Sequence, residues 1–190
     1  MEVKMRSLRG IELFGKKVLL RPDINSPLDP KTKKIVNDDR IVKTVPVIRE
    51  LLSGGAAIAI IAHQGDTLDY QNLTGLEDQS ARLSELLSTP VEYLDDVCGP
   101  AAIERVKKLQ PGEIVILGNL RYLTEEVSTF EKDVKLDAEA YTHTWLVRKL
   151  APLFDLYVNE AFAAAHRNAP SMVAFQELLP TAAGPLLFAE

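Results

Sequence analysis

The run Ala56-Ala57-Ile58-Ala59-Ile60-Ile61-Ala62 is apolar at every position and ends on His63. It is too short to span a bilayer and lacks the alternation of a half-solvated strand. A short unbroken run of this kind fits a central strand of a parallel sheet, covered on both faces. A chain carrying such a strand needs helices on either side of it, and the neighbouring segments supply them.

Lys17–Arg21 is expected as the first strand, stopped by Pro22 and Pro27. Val91–Leu94, Ile114–Leu117 and Phe154–Val158 are expected as further strands. Between them, Arg40–Leu52 places Ile41, Val45, Ile48, Leu51 and Leu52 at helical spacing. Pro46 is expected to kink this helix or mark a late start, and Gly54-Gly55 to close it. Leu76–Leu87 reads as a helix with Leu83, Leu86 and Leu87 inward, and Ala101–Leu109 as a shorter one stopped by Gln110-Pro111-Gly112. Ala138–Leu150 reads as one amphipathic helix with Tyr141, Trp145, Leu146 and Leu150 inward and His143 exposed. A last helical stretch runs from about Ser171 to Leu179. The charge-rich segment Glu125–Asp137 is read as solvated and given no role. Strands alternating with helices predict an α/β, three-layer Rossmann-like domain, a mostly parallel sheet with helices on both faces. No repeat or linker divides the chain, so residues 1–190 are read as a single domain.

Composition narrows the function. The chain has 190 residues, 46% of them hydrophobic, and a net charge of −5. An acidic protein with a pI near 5.3 does not suit general nucleic-acid binding. One cysteine, Cys98, excludes an internal disulfide framework, and its neighbours Asp95 and Asp96 disfavour a thiolate. No secretory leader and no membrane span are read, so the expected location is cytoplasmic. Neither G-x-G-x-x-G nor G-x-x-x-x-G-K-[ST] occurs, so no nucleotide loop is expected on this chain, and no metal site.

The chemistry lies at the strand ends. In an open parallel sheet, ligands bind beyond the carboxyl ends of the strands. Those ends carry Arg21, Asp23 and Asn25, then His63, then Asn119 and Arg121, then Asn159, His166 and Arg167, and Arg40 starts the helix after the first strand. One arginine after a strand is usually a surface ion pair of little value. His63 alone could be a capped core histidine, and Asn25 and Asn119 could be turn formers. Jointly, four arginines and two histidines on one rim of an acidic protein predict a site for a small, multiply charged anion. Arginine suits phosphate and carboxylate because its planar fork donates two hydrogen bonds at fixed geometry. Three or four such contacts, at roughly 1.5–3 kcal/mol each before the cost of immobilising the ligand, suggest affinity of about µM to sub-mM.

Six stretches then carry a resemblance. They are Leu20-Arg21-Pro22-Asp23-Ile24-Asn25-Ser26-Pro27, Asp38-Asp39-Arg40-Ile41, Ala62-His63-Gln64-Gly65, Asn119-Leu120-Arg121, Val158-Asn159-Glu160-Ala161-Phe162 and Ala165-His166-Arg167. In this order they resemble the N-terminal domain of the phosphoglycerate kinase family across nearly the whole chain, with Ala161–Arg167 most similar to its archaeal branch. The segment Leu179–Leu187 is similar to the family's approach to its interdomain linker. The resemblance implies a phosphotransferase of glycolysis and gluconeogenesis. This half would bind 3-phosphoglycerate or 1,3-bisphosphoglycerate, and a C-terminal domain outside this chain would bind Mg-ATP or Mg-ADP. It implies that Arg40 faces the transferred phosphoryl group. It also implies that Arg21, Asp23, Asn25, Arg40, His63, Arg121, His166 and Arg167 cradle the substrate, and that this half alone is inactive. A related kinase for a different phospho-acid, or a stand-alone anion-binding module, are the alternatives. Three positions depart from the family pattern: Asp66 stands where an arginine is usual, Gly118 where a glutamate is, and Glu160 where an aspartate is.

Overall fold

The structure is a computed structural model and describes residues 6–65 and 73–189. Its six strands are β1 (Lys17–Arg21), β2 (Ala57–Ile60), β3 (Val91–Tyr93), β4 (Ile114–Ile116), β5 (Leu156–Asn159) and β6 (Thr181–Ala183). They form one sheet in the order β3-β4-β2-β1-β5-β6, and every pairing is parallel. The expected α/β architecture with helices on both faces is therefore the observed one.

The chain steps from β1 to β2 to β3 in one direction across the sheet, through α1 (Asp39–Ser53) and α2 (Glu77–Leu87). It then reverses, running β4, β5, β6 through α3 (Pro100–Lys108) and a set of short helices. With crossovers of one hand, opposite directions of travel put helices on opposite faces, and the core divides accordingly. Val18, Leu20, Ile58, Ile60, Ile114, Ile116 and Val158 pack against Ile41, Ile48, Leu51 and Leu83 of α1 and α2. Leu19, Ala57, Ala59, Val115 and Tyr157 pack on the other side, against Ala102, Val106, Leu146 and Phe175. β2 is thus apolar at every residue because both its faces are interior.

Several elements differ from expectation. α1 starts at Asp39 and runs through Pro46 to Ser53. Pro46 lies on its exposed side, where water can serve the carbonyl that the proline leaves without an N–H partner. Gly55 follows with φ of +79°, and a Cβ there would come within 2.8 Å of Phe14. The expected helix Ala138–Leu150 is two pieces, α5 (Ala138–Tyr141) and α6 (Trp145–Leu150), after α4 (Ser128–Val134). The break rotates Trp145 outward. It is 54% exposed, with the Lys149 ammonium 4.3 Å from its ring centre, and Val147 is buried in α6 alongside Leu146 and Leu150. In α2 only Leu83 of the three leucines is fully buried. The last expected helix is also two single turns, α7 (Pro170–Val173) and α8 (Phe175–Leu178), followed by β6 on the sheet edge and α9 (Pro185–Ala189). β6 was not expected, because three residues of Thr-Ala-Ala carry no strand signal of their own. Cys98 is buried, and burial together with Glu125 and Asp96 pushes its thiol up to about 12. Among the described residues, no helix is long and apolar enough to cross a membrane.

Two side chains on these short helices make opposite contributions. Tyr141 is fully buried, and its hydroxyl has no hydrogen-bond partner. Tyr141→Phe is therefore expected to stabilise the protein, or leave it unchanged, by removing an unsatisfied group worth about 1 kcal/mol or more. Trp145→Ala is expected to cost less than about 1 kcal/mol, where a buried tryptophan would cost roughly 3–5. Urea unfolding of the two variants beside the parent chain measures both.

Candidate functional site

The four inner strands, β4, β2, β1 and β5, deliver the polar residues to one edge of the sheet. At the end of β1, Arg21 pairs in register with Asn159 of β5. Pro22 cannot continue the ladder, so the chain turns away, and Ile24 anchors the turn by burying its side chain. Asp23 Oδ1 accepts the Asn25 amide at 3.2 Å, which fixes the turn locally.

Arg21 is 2% exposed, deeper than a surface cation. Its Nη1 donates to the Pro22 carbonyl at 2.6 Å, its Nε to Ser171 Oγ at 3.2 Å, and its Nη2 faces His63 Nδ1 at 3.0 Å. A guanidinium can only donate, so Nδ1 must accept and the ring is neutral with its proton on Nε2. The electrostatics agree. Burial, followed by Arg21, Arg121, Arg167 and Arg40, holds His63 well below the ordinary imidazole value. His63 is thus a hydrogen-bond donor through Nε2, not a cation.

The loop after β2 is held by two amides. Gln64 lies between the Ser26 backbone, which it both accepts from and donates to, and the side-chain amide of Gln79. Asn119, at the end of β4, is fully buried. Its Oδ1 accepts the amides of Gln64 and Arg121, and its Nδ2 donates to the carbonyls of Gln64 and Thr74. That bond to Arg121 N caps the 3-10 turn Leu120–Tyr122 and so aims the Arg121 side chain. The guanidinium of Arg121 reaches Gly65 O at 3.4 Å and Glu126 O at 2.7 Å, and Asn25 Oδ1 accepts from Gly65 N at 3.2 Å. Gly118 is cramped between the backbone amides of Asp96 and Val97, each 3.1 Å from where a Cβ would sit, so a glutamate there would displace this turn.

Arg40, in the first turn of α1, crosses the rim to Asp23 Oδ2 at 2.8 Å while remaining half-exposed. It borders an open cleft of about 430 Å³ shared with Asn25, Gln64, Gly65 and Arg121. Arg167 is partly buried, bonded to the Glu126 carbonyl at 3.3 Å and ion-paired with Glu131. Of the expected site residues, hydrogen bonds connect Arg21 with His63, Asp23 with Arg40 and Asn25, and Arg121 with Arg167 through one shared carbonyl. His166 is exposed on the surface beside them. Asp66 lies outside the described residues.

Two groups were overlooked in reading the sequence. Glu126, in the segment read as solvated, is 2% exposed, and Ser171 is fully buried. Glu126 accepts from Ser171 N and Ser171 Oγ, both at 2.7 Å. Burial raises its carboxyl above the ordinary range, opposed by Ser171 and by the charges of Arg21 and Arg167. Nothing in an acidic, charge-mixed stretch distinguishes the one acid that turns inward. The four arginines are therefore accompanied by Asp23, Glu126 and Glu131, which offset part of their mutual repulsion. Chemically the cleft offers the guanidinium groups of Arg40 and Arg121, with the neutral imidazole of His63 adjoining Gln64 in its wall, a donor set for a small phosphorylated or carboxylated anion. Among the described residues no three acidic, histidine or cysteine side chains converge on a metal position, and no glycine-rich phosphate loop is present.

The phosphoglycerate kinase family model matches residues 8–190. The phosphoglycerate kinase of Methanothermobacter thermautotrophicus is 44% identical over 184 residues, covering 97% of this chain and 43% of that protein. The one from Sulfurisphaera tokodaii is 43% identical over 180 residues, covering 95% and 42%. The crystal structure of phosphoglycerate kinase from Pyrococcus horikoshii OT3 superposes with a TM-score of 0.89 at 39% identity, over 97% of this chain and 44% of that one. The Coxiella burnetii enzyme gives 0.74 at 26% identity. The chain spans less than half the length of each of these relatives. With the family model matched over residues 8–190 and relatives of this identity over nearly its whole length, the chain belongs to the phosphoglycerate kinase family.

Proposed function

We propose that this chain is the N-terminal, acid-substrate half of a phosphoglycerate kinase, acting in the cytoplasm. It holds 3-phosphoglycerate or 1,3-bisphosphoglycerate, while a C-terminal domain holds Mg-ATP or Mg-ADP. The observation that carries the reading is the cleft lined by Arg40, Arg121, Asn25, Gln64 and Gly65, the last two following directly on the His63 that pairs with buried Arg21. It is a donor-rich hollow of a size for a three-carbon phospho-acid, in a chain of this family.

The geometry suits that chemistry. The acceptor in phosphoryl transfer to 3-phosphoglycerate is a carboxylate, already a nucleophile at neutral pH, so no general base is required. A neutral His63 fits, because it donates without competing for a proton. What remains is positioning and charge neutralisation. Arg121 and Arg167, fixed through the Glu126 carbonyl, contribute fixed positive charge for the substrate anion. Arg40, the most exposed of the four, is placed to meet the group being transferred, and Asp23 keeps it on the rim. As the family resemblance implies, the phosphoryl donor is assigned to the second domain.

Calorimetric titration of the 190-residue chain with 3-phosphoglycerate at low salt tests this reading. Binding between about µM and sub-mM is expected, weakening as salt screens the arginines. Arg121→Ala and Arg167→Ala should each lose about tenfold or more, from charge-assisted bonds worth roughly 1.5–3 kcal/mol. A folded chain that ignores 3-phosphoglycerate at every salt concentration would refute the reading. Arg40→Ala separates binding from chemistry. It should change affinity only a few-fold, yet lower kcat of the two-domain enzyme by about 100-fold or more. Equal losses in both would mean that Arg40 serves binding alone.

A further inference from the structure

Arg21, Arg121 and Arg167 converge on one residue, Glu126. Its carbonyl oxygen accepts from Arg121 Nη1 at 2.7 Å and from Arg167 Nη2 at 3.3 Å. Its carboxylate reaches the third arginine through Ser171. Arg21 Nε donates to Ser171 Oγ at 3.2 Å, and that hydroxyl can then spend its single proton only on Glu126 Oε2, at 2.7 Å. Glu126 Oε1 takes the Ser171 amide as well, and Tyr157 Oη donates to the Ser171 carbonyl at 2.6 Å. Serine and glutamate are both almost wholly out of water, where a carboxylate is costly to keep unless it is fully bonded. A hydrophobic filling of the same space would be cheaper for folding, but it would release Arg21.

We infer that Glu126 and Ser171 are positioning residues of the anion site: they set the Arg21 guanidinium, and through it the orientation and tautomer of His63. The inference rests on the reading of the cleft as an acid-substrate site. The chain of bonds runs Glu126, Ser171, Arg21, His63, and ends on the imidazole Nε2–H that is left to donate to a ligand. The groups facing His63 are the guanidinium of Arg21 and, further off, those of Arg121, Arg167 and Arg40. Glu126 faces Arg21 and Arg167 from the opposite side. If Glu126 were only a counter-charge, deleting it would make the site more positive and tighten anion binding. A positioning role predicts the opposite sign.

The test uses the 190-residue chain with Ser171→Ala and Glu126→Gln, and a core control, Val106→Ala, remote from the site. Affinity for 3-phosphoglycerate and for inorganic phosphate is measured by calorimetry. The imidazole C–H resonances of the three histidines, His63, His143 and His166, are followed against pH by NMR. Expected is a loss of about fivefold or more in 3-phosphoglycerate affinity for both site variants, including Glu126→Gln, which lacks a negative charge. Near pH 6.5 His63 should be uncharged in every protein, and its ring resonances should report one fixed tautomer in the parent and in Val106→Ala and lose that single signature once Glu126 and Ser171 no longer hold Arg21. Parent-like or tighter binding by Glu126→Gln, or His63 ring resonances unmoved in both variants, overturns the inference. If the parent itself fails to bind 3-phosphoglycerate, the substrate reading fails, and the His63 resonances still decide whether the positioning chain exists. If Ser171→Ala does not fold, Glu126→Gln, which keeps an acceptor for the Ser171 amide, carries both readouts.

Discussion

A guanidinium taken out of water loses its hydration, and the protein must return an equivalent set of acceptors and a compensating charge or the group will not stay ionised. Arg21 is in that position. Burial lowers its pKa, Glu126 is the largest influence raising it again, and Pro22, Ser171 and His63 accept its protons. Those three acceptors and the compensating charge come from four separate parts of the chain: the turn after β1, the loop after β2, the first turn of α7 and, for Glu126, the segment after β4. Holding one arginine therefore helps hold the rim, because three of those segments also carry residues that line the cleft: Asn25, Gln64 with Gly65, and Arg121.

The sheet makes this gathering possible. With every strand parallel, all the carboxyl ends lie on one edge. The reversal in strand order places β1 between β2, filled early in the chain, and β5, filled late. Residues 21, 63, 121 and 167 are far apart in sequence and become neighbours because the four inner strands end side by side. The site consists mainly of donors, and its acids lie behind or beside the cations. Such an arrangement compensates the buried cations within the fold and still leaves the edge of the sheet rich in donors.

What could be read from the sequence, and what could not, follows from the range of the interactions. β1 was legible to the residue because its apolar run meets Pro22, and β2 because both of its faces are interior. The strand-end arginines were legible because a parallel sheet fixes which end faces the ligand. Trp145 was misread because helical periodicity assumes an unbroken helix. The interruption at Thr142–Thr144 rotates everything after it, and apolar spacing along the sequence does not reveal it. Glu126 and Ser171 were invisible for a related reason. A buried acid is identified by the partners that meet it, and the serine that meets the Glu126 carboxylate lies 45 residues further along the chain. Arg21 itself was read as a residue of the rim surface, and only the three-dimensional arrangement shows it beneath the rim, behind His63.

Glu160 closes the account of the rim from the other side. It follows directly on β5, is 3% exposed, and its two carboxylate oxygens accept the amides of Leu186 and Leu187 in α9, at 3.0 and 3.3 Å. Gly184 allows this, since a Cβ there would sit 2.1 Å from Glu160 Oε2. Gly184 N also bonds to the Asn159 carbonyl, so the end of β5 grips the following segment at two heights. A strand end and a helix joined in this way are mechanically linked: displacing α9 from the end of β5, one strand away from Arg21, requires breaking the bonds from Leu186, Leu187 and Gly184.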